Sequence, residues 1–157
     1  MKSFINPLNL VKTAVCIALG ISLQIADNLL LPPINIPGGK LGLANIVNVY
    51  SLAQFAVSTT FLIAVARAIL GGLLFGGTMT MMYSLAGAIL STLVMVLIWR
   101  LRPVFSAVGA CIVGAAAHNI GQVCLAAAIL NSGAVFAFLP SLLIISAFSG
   151  AFIGYMG

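Results

Sequence analysis

Long apolar runs, separated by short polar or Pro/Gly-rich breaks, fill the chain. A helix that crosses a bilayer needs about 20 apolar residues, and the runs divide on that scale. The first extends from about Leu8 to Ala26 and stops at "DNLLLPPINIPGGK" (27–40), where Pro32, Pro33, Pro37 and Gly38-Gly39 forbid continued helix. The stretch from Leu41 to Gly77 is too long for one span and divides near Ser58-Thr59-Thr60, a weak turn signal, into two. A fourth runs from about Thr78 to Trp99 and ends at "RLRP". The fifth covers roughly Val104 to Leu130, broken by "NSG" at 131–133, and the sixth Ala134 to Met156, with Pro140 inside it as a tolerated kink. The pattern predicts an all-α integral membrane protein: a bundle of six transmembrane helices forming a single domain over residues 1–157.

Composition supports the same solvent. The chain is 63% hydrophobic and 4% charged, against about 25% charged in soluble domains. It has no polar coat to offer water, so its surface faces lipid. The net charge of +5 comes from six Lys/Arg against one acidic residue, Asp27. The basic residues are scattered, with no stripe to track a nucleic-acid backbone, and they make better sense as topology markers. Lys2 and Lys12 lie at the start of span one, and Arg100 and Arg102 follow span four, so an even number of crossings puts both sets on one side. The positive-inside rule makes that side cytoplasmic, with both termini inside a cell membrane and the proline loop outside. A five-span arrangement that turns Arg67 into a loop residue would push Arg100 and Arg102 outside, or require a span of about 30 residues, and is disfavoured. The N-terminal run lacks an A-x-A cleavage site and is read as a retained first helix. Cys16, Cys111 and Cys124 form no CxxC pair and are read as small hydrophobes, not as a disulfide framework or metal site.

Against that background the polar residues stand out. "AAHNIGQVC" (116–124) holds the chain's single histidine, His118, beside Asn119 and Gln122. Spacings of three and four put them on one helix surface, next to small residues at Ala107, Ala110, Gly114, Ala117 and Gly121 on which another helix can pack. Each amide alone is equally well explained as an interhelical hydrogen bond; three such groups together favour a ligand site. Arg67 is the costliest residue to place in lipid and must snorkel, pair or meet a ligand; Asp27 is the one acidic partner on offer. Asn45 and Asn48 share a face just below Lys40, and Tyr83 lies in "TMTMMYS" (78–84), whose methionines are read as packing. Lys40, Asn45, Asn48, Tyr83, His118, Asn119 and Gln122 all fall in the outer half of the predicted bundle. Beneath an apolar proline loop they suggest a pocket with a lid.

Three segments carry a family resemblance: "KLGLANIVNVYSL" (40–52), "ARAILGGLLFGG" (66–77) and "AAAHNIGQV" (115–123). They resemble the Gx transporter family, also labelled heptaprenyl diphosphate synthase component I, and through it the substrate-binding S components of energy-coupling factor (ECF) transporters. The resemblance implies uptake of a small molecule from the outer side, powered by ATPase subunits on other chains and a transmembrane coupling subunit. It also implies docking to that subunit through small residues of the first helix, matched here by Ala14 and Ala18. Substrate contacts would come from Lys40, Asn45, Asn48, Tyr83, His118, Asn119 and Gln122, with Arg67 deeper. No phosphate-binding G-x-x-x-x-G-K-[ST] is present, and one acidic residue cannot build the aspartate clusters that hold magnesium in prenyl diphosphate synthesis. No enzymatic activity, cofactor or metal is therefore expected. The alternative is a non-catalytic membrane anchor or partner subunit of a redox or prenyl/quinone biosynthetic complex. Amide and basic groups without acids suggest a neutral or anionic ligand.

Overall fold

The computed structural model describes residues 7–30, 42–101 and 107–156. Among them are six α-helices: α1 (Pro7–Leu30), α2 (Asn45–Gln54), α3 (Val57–Phe75), α4 (Gly77–Arg100), α5 (Ala107–Leu130) and α6 (Leu139–Met156). Five stretches are long and apolar enough to cross a membrane, the last of them taking in the 3₁₀ turn Gly133–Phe138 before α6. The chain is a multi-pass membrane protein. Its outer faces carry the residues such a solvent demands, including Val11, Val15 and Leu19 on α1, Leu93 and Leu97 on α4, and Phe148 and Phe152 on α6, all exposed.

The expected second span is where the structure differs. α2 has ten residues, about 15 Å at 1.5 Å per residue, half a hydrocarbon core. It ends at Phe55, whose backbone is extended, and α3 starts at Val57. The break falls before Ser58-Thr59-Thr60, which belong to the first turn of α3. There Thr60 turns its hydroxyl back onto the carbonyl of Ala56. Short hydroxyl side chains bond within a helix as readily as they end one, so they mark a boundary weakly. Pro140 is the second residue of α6, directly after the 3₁₀ turn Gly133–Phe138, where a missing N–H costs no intrahelical hydrogen bond. The other boundaries follow their local chemistry. Gly77, with φ +73°, makes the turn between α3 and α4. Asn131 takes the left-handed conformation after α5 (φ 47°), and the Ser132 hydroxyl accepts from the N–H of Ala134 to start the 3₁₀ turn.

Close contacts fix the helix directions. Gly20 faces Arg67 and Gly71 faces Gln24, so α1 and α3 run parallel. Gly72 abuts the backbone of Met81, Gly114 faces Met95 and Gly121 meets Ala86, making α3–α4 and α4–α5 antiparallel. Gly150 against Ile112 does the same for α5–α6. Gly42 and Leu43, just before α2, bond Asp27 near the end of α1 through their N–H groups, and Phe55 beyond the end of α2 packs on the cluster that contains Cys16. α2 therefore runs back against α1. Directions alternate through all six helices, and the Lys12 and Arg100 ends lie on the same face of the bundle despite the shortness of α2.

The long helices pack in a row, α1–α3–α4–α5–α6, and α2 touches every one of them. A row whose two ends both reach the same short helix must curve around it. α2 is thus the centre of the bundle, with Asn45, Val47, Asn48, Ser51 and Leu52 buried and Tyr50 exposed.

Two measurements check this arrangement. Gly121→Val places methyl groups where even a Cβ would lie 2.9 Å from the carbonyl oxygen of Ala86. It should destabilise the detergent-solubilised protein by about 1–3 kcal/mol in thermal melts, the usual cost of overpacking. Single cysteines introduced at Pro7 and at Leu101, with the native three replaced, should react with a membrane-impermeant maleimide from the same side.

Candidate functional site

The polar side chains converge on one face of α4. Its buried residues are Ser84, Gly87, Ala88, Ser91, Thr92, Met95 and Ile98, spaced three and four apart so that they form one stripe. Each polar or small position on that stripe receives a group from another helix. Ser84 accepts from Gln24 of α1, Nε2 to Oγ 3.4 Å. Gly87 leaves room for His118 and Gln122 of α5: a Cβ there would lie 2.9 Å from His118 Nε2 and 3.0 Å from Gln122 Cγ. Ser91 donates to Asn45 Oδ1 (3.3 Å), and Thr92 accepts from Asn48 Nδ2 (3.4 Å), both from α2. From Ser84 to Thr92 the ladder is about 12 Å long, the length of a small organic molecule.

Depth comes from helix position. His118 is the twelfth of the 24 residues of α5, and Arg67 lies midway along α3, so both sit near the middle of long apolar helices. Gln122 Nε2 is 3.2 Å from His118 Nε2. An amide nitrogen donates and does not accept, so with the amide in this orientation the imidazole Nε2 is the acceptor.

The structure divides the predicted α5 triad. His118 and Gln122 turn to α4, whereas Asn119 turns to α6 and donates to Ser146 Oγ (2.7 Å) and to the Leu142 carbonyl (3.4 Å). Neighbouring positions on a helix are 100° apart, enough to send Asn119 across a different interface. Tyr83, adjacent to Ser84 in sequence, lies by the same logic against an apolar cluster of Val123, Ala126, Val135 and Leu142. Lys40 and the proline loop from residue 31 to 41 lie outside the described residues. The small-residue stripe of α5 does receive a helix: Gly114 and Gly121 both pack on α4. Ala14 and Ala18 are exposed on α1.

Four participants were not singled out from the sequence. Gln24, Ser84, Ser91 and Thr92 are all at most 3% exposed. Their signal was present in "SLAGAILST" (84–92), where Ser84, Gly87, Ala88 and Ser91 repeat at helical spacing. Asp27 is also buried, and its carboxylate accepts the backbone N–H of Gly42 at 3.2 Å and of Leu43 at 3.1 Å. It thereby ties the end of α1 to the start of α2. Arg67, 2% exposed, keeps its Nε and Nη2 without a hydrogen-bond partner among the described residues.

The hydrogen bonding is incomplete. Among the described residues, Asn45 Nδ2, Asn48 Oδ1, Gln122 Oε1, Gln24 Oε1, Asn119 Oδ1 and the Arg67 Nε and Nη2 atoms are buried without a hydrogen-bond partner. A buried donor or acceptor left unpaired costs about 1–3 kcal/mol.

No curated protein and no solved structure matches this sequence. The family described as heptaprenyl diphosphate synthase component I matches residues 16–157, a range that takes in the whole α4 ladder and all three sequence segments noted above. On that coverage, the chain belongs to the heptaprenyl diphosphate synthase component I family.

Proposed function

We propose that this protein is a membrane-embedded binding subunit for a small molecule, working as the S component of an ECF-type transporter. The observation that carries the proposal is the ladder on α4, where Asn45, Asn48, His118, Gln122 and Gln24 from three other helices each bring a polar group to one stripe and several keep a bonding position open. Substrate enters from the extracytoplasmic side, and the termini and Arg100 face the cytoplasm in accord with the positive-inside rule. The energy comes from ATPase subunits on other chains. Ala14 and Ala18, exposed on α1, are available to a transmembrane coupling subunit.

The family description favours a second reading, a membrane partner in prenyl diphosphate synthesis. Departure of pyrophosphate is assisted by magnesium on clustered aspartates, and the whole chain contains one acidic residue. Under that reading the chain is a non-catalytic subunit, and the α4 ladder is only structural.

Native mass spectrometry of the purified protein separates the two. The binding role predicts a small-molecule adduct on the wild type that falls about tenfold or more in His118→Ala and Asn48→Ala, the loss expected when one or two buried hydrogen bonds go, with both variants still folded and inserted. A wild type without adduct, and variants that keep all their protein partners, would leave the partner-subunit reading standing.

A further inference from the structure

Arg67 stands at the level of the α4 ladder. Gly72 abuts Met81 across the antiparallel α3–α4 contact, so five residues back along α3 and five on along α4 set Arg67 level with Ala86, between the Ser84 and Ser91 rungs. Its neighbours Ala64 and Ala68 pack with Ala88 of α4. One step of rotation from Ala68 turns Arg67 toward α1, where Gly20 leaves room for it: a Cβ at that glycine would lie 2.5 Å from Arg67 Cδ. Gln24, one turn beyond Gly20, covers Gly71, one turn beyond Arg67, and donates its Nε2 to Ser84.

A guanidinium is planar, and its Nε–H and the adjacent Nη–H point the same way along one edge. In Arg67 the two nitrogens of that edge, Nε and Nη2, are the ones buried without a hydrogen-bond partner among the described residues. Gln24 Oε1, one turn away, is open as well. A donor edge and an acceptor thus lie close together on one interface without closing on each other.

A neutral carbonyl could take such an edge, yet it would leave the charge unpaired, and an unpaired buried ion is costly in hydrocarbon. A carboxylate answers both needs, with two oxygens for two parallel N–H groups and one negative charge for one positive. A phosphate monoester would bring close to two negative charges against a single guanidinium. The chain's own acid leaves the place open. The Asp27 carboxylate accepts the N–H groups of Gly42 and Leu43, and with it there Arg67 Nε and Nη2 still have no bond. Every other charged side chain in the sequence, Lys40 included, is positive, a balance that favours an anion over a cation. We infer that the small molecule of this site carries one carboxylate, seated on the Nε–Nη2 edge of Arg67, and a donor group that reaches Gln24 Oε1. The inference rests on the binding role proposed above and names its substrate class, a monocarboxylic acid.

The test uses full-length protein purified from membranes and, as probe, the small molecule released from the wild type by denaturation. Part of the probe is treated with trimethylsilyldiazomethane, which converts a carboxylate to its uncharged methyl ester. Mass spectrometry should show one methyl group gained and no phosphorus. Wild type stripped of its adduct should rebind the acid and hold the ester about tenfold less tightly or worse, the loss expected when a charge-assisted pair goes. Arg67→Lys keeps the charge without the two-donor edge and should hold the acid about tenfold less tightly than the wild type. Arg67→Gln should lose the acid by at least as much while holding the ester as the wild type does. Melting temperatures show whether both variants are folded, and if neither is, the comparison of acid and ester on the wild type decides. A released molecule that gains no methyl group or contains phosphorus, an ester that binds as well as the acid, or a folded Arg67→Gln that loses acid and ester alike would each overturn the inference while leaving the binding role intact. A wild type without any adduct would instead overturn the binding role, and this inference with it.

Discussion

Hydrocarbon offers no hydrogen bonds, so every N–H and C=O that this chain carries into the bilayer must find its partner inside the bundle or in a guest. The backbone meets that demand by being helical. For side chains the demand falls on α4, whose Ser84, Gly87, Ser91 and Thr92 receive polar groups from α1, α5 and α2. The small residues serve two ends at once. A glycine at 87 or 121 brings α4 and α5 close enough to pack, and the same closeness puts His118 and Gln122 at the stripe. Helix packing and site geometry are one arrangement, which is why a steric change at Gly121 and a polar change at His118 act on the same interface.

Much of this was legible in the residue order. Membrane residence, four of the helices and their ends followed from apolar run length, because that length is set by the bilayer and not by tertiary contacts. His118, Gln122, Asn45 and Asn48 were conspicuous because an imidazole or amide is expensive in lipid wherever it points. What remained hidden was direction. Asn119 differs from His118 by one step of rotation, and apolar composition on every side of α5 gives no face to measure against. Serine and threonine were harder still: Ser51 and Thr92 bond their own helix carbonyls, so a hydroxyl in a span signals little until its second partner is located. The short α2 escaped for a related reason. The apolar run from Leu41 to Gly77 is continuous, and nothing local distinguishes two full spans from one span and a half.

The two charges that the sequence left unresolved are placed by the helix row. α1 and α3 lie parallel, an arrangement open to them because α2 occupies the return path between them. This sets Gly20 under Arg67. The acidic side chain near the end of α1 reaches the segment that leads into α2 through two backbone N–H groups.

The brevity of α2 also constrains how the molecule is made. A helix of ten residues cannot reach across the hydrocarbon, and its frayed ends would sit unbonded among acyl chains if it were released there singly. It can settle only where other helices already line its sides, and it touches all five. The seat of α2, and with it the reach of Asn45 and Asn48 to α4, is therefore a property of the assembled bundle and not of the segment by itself.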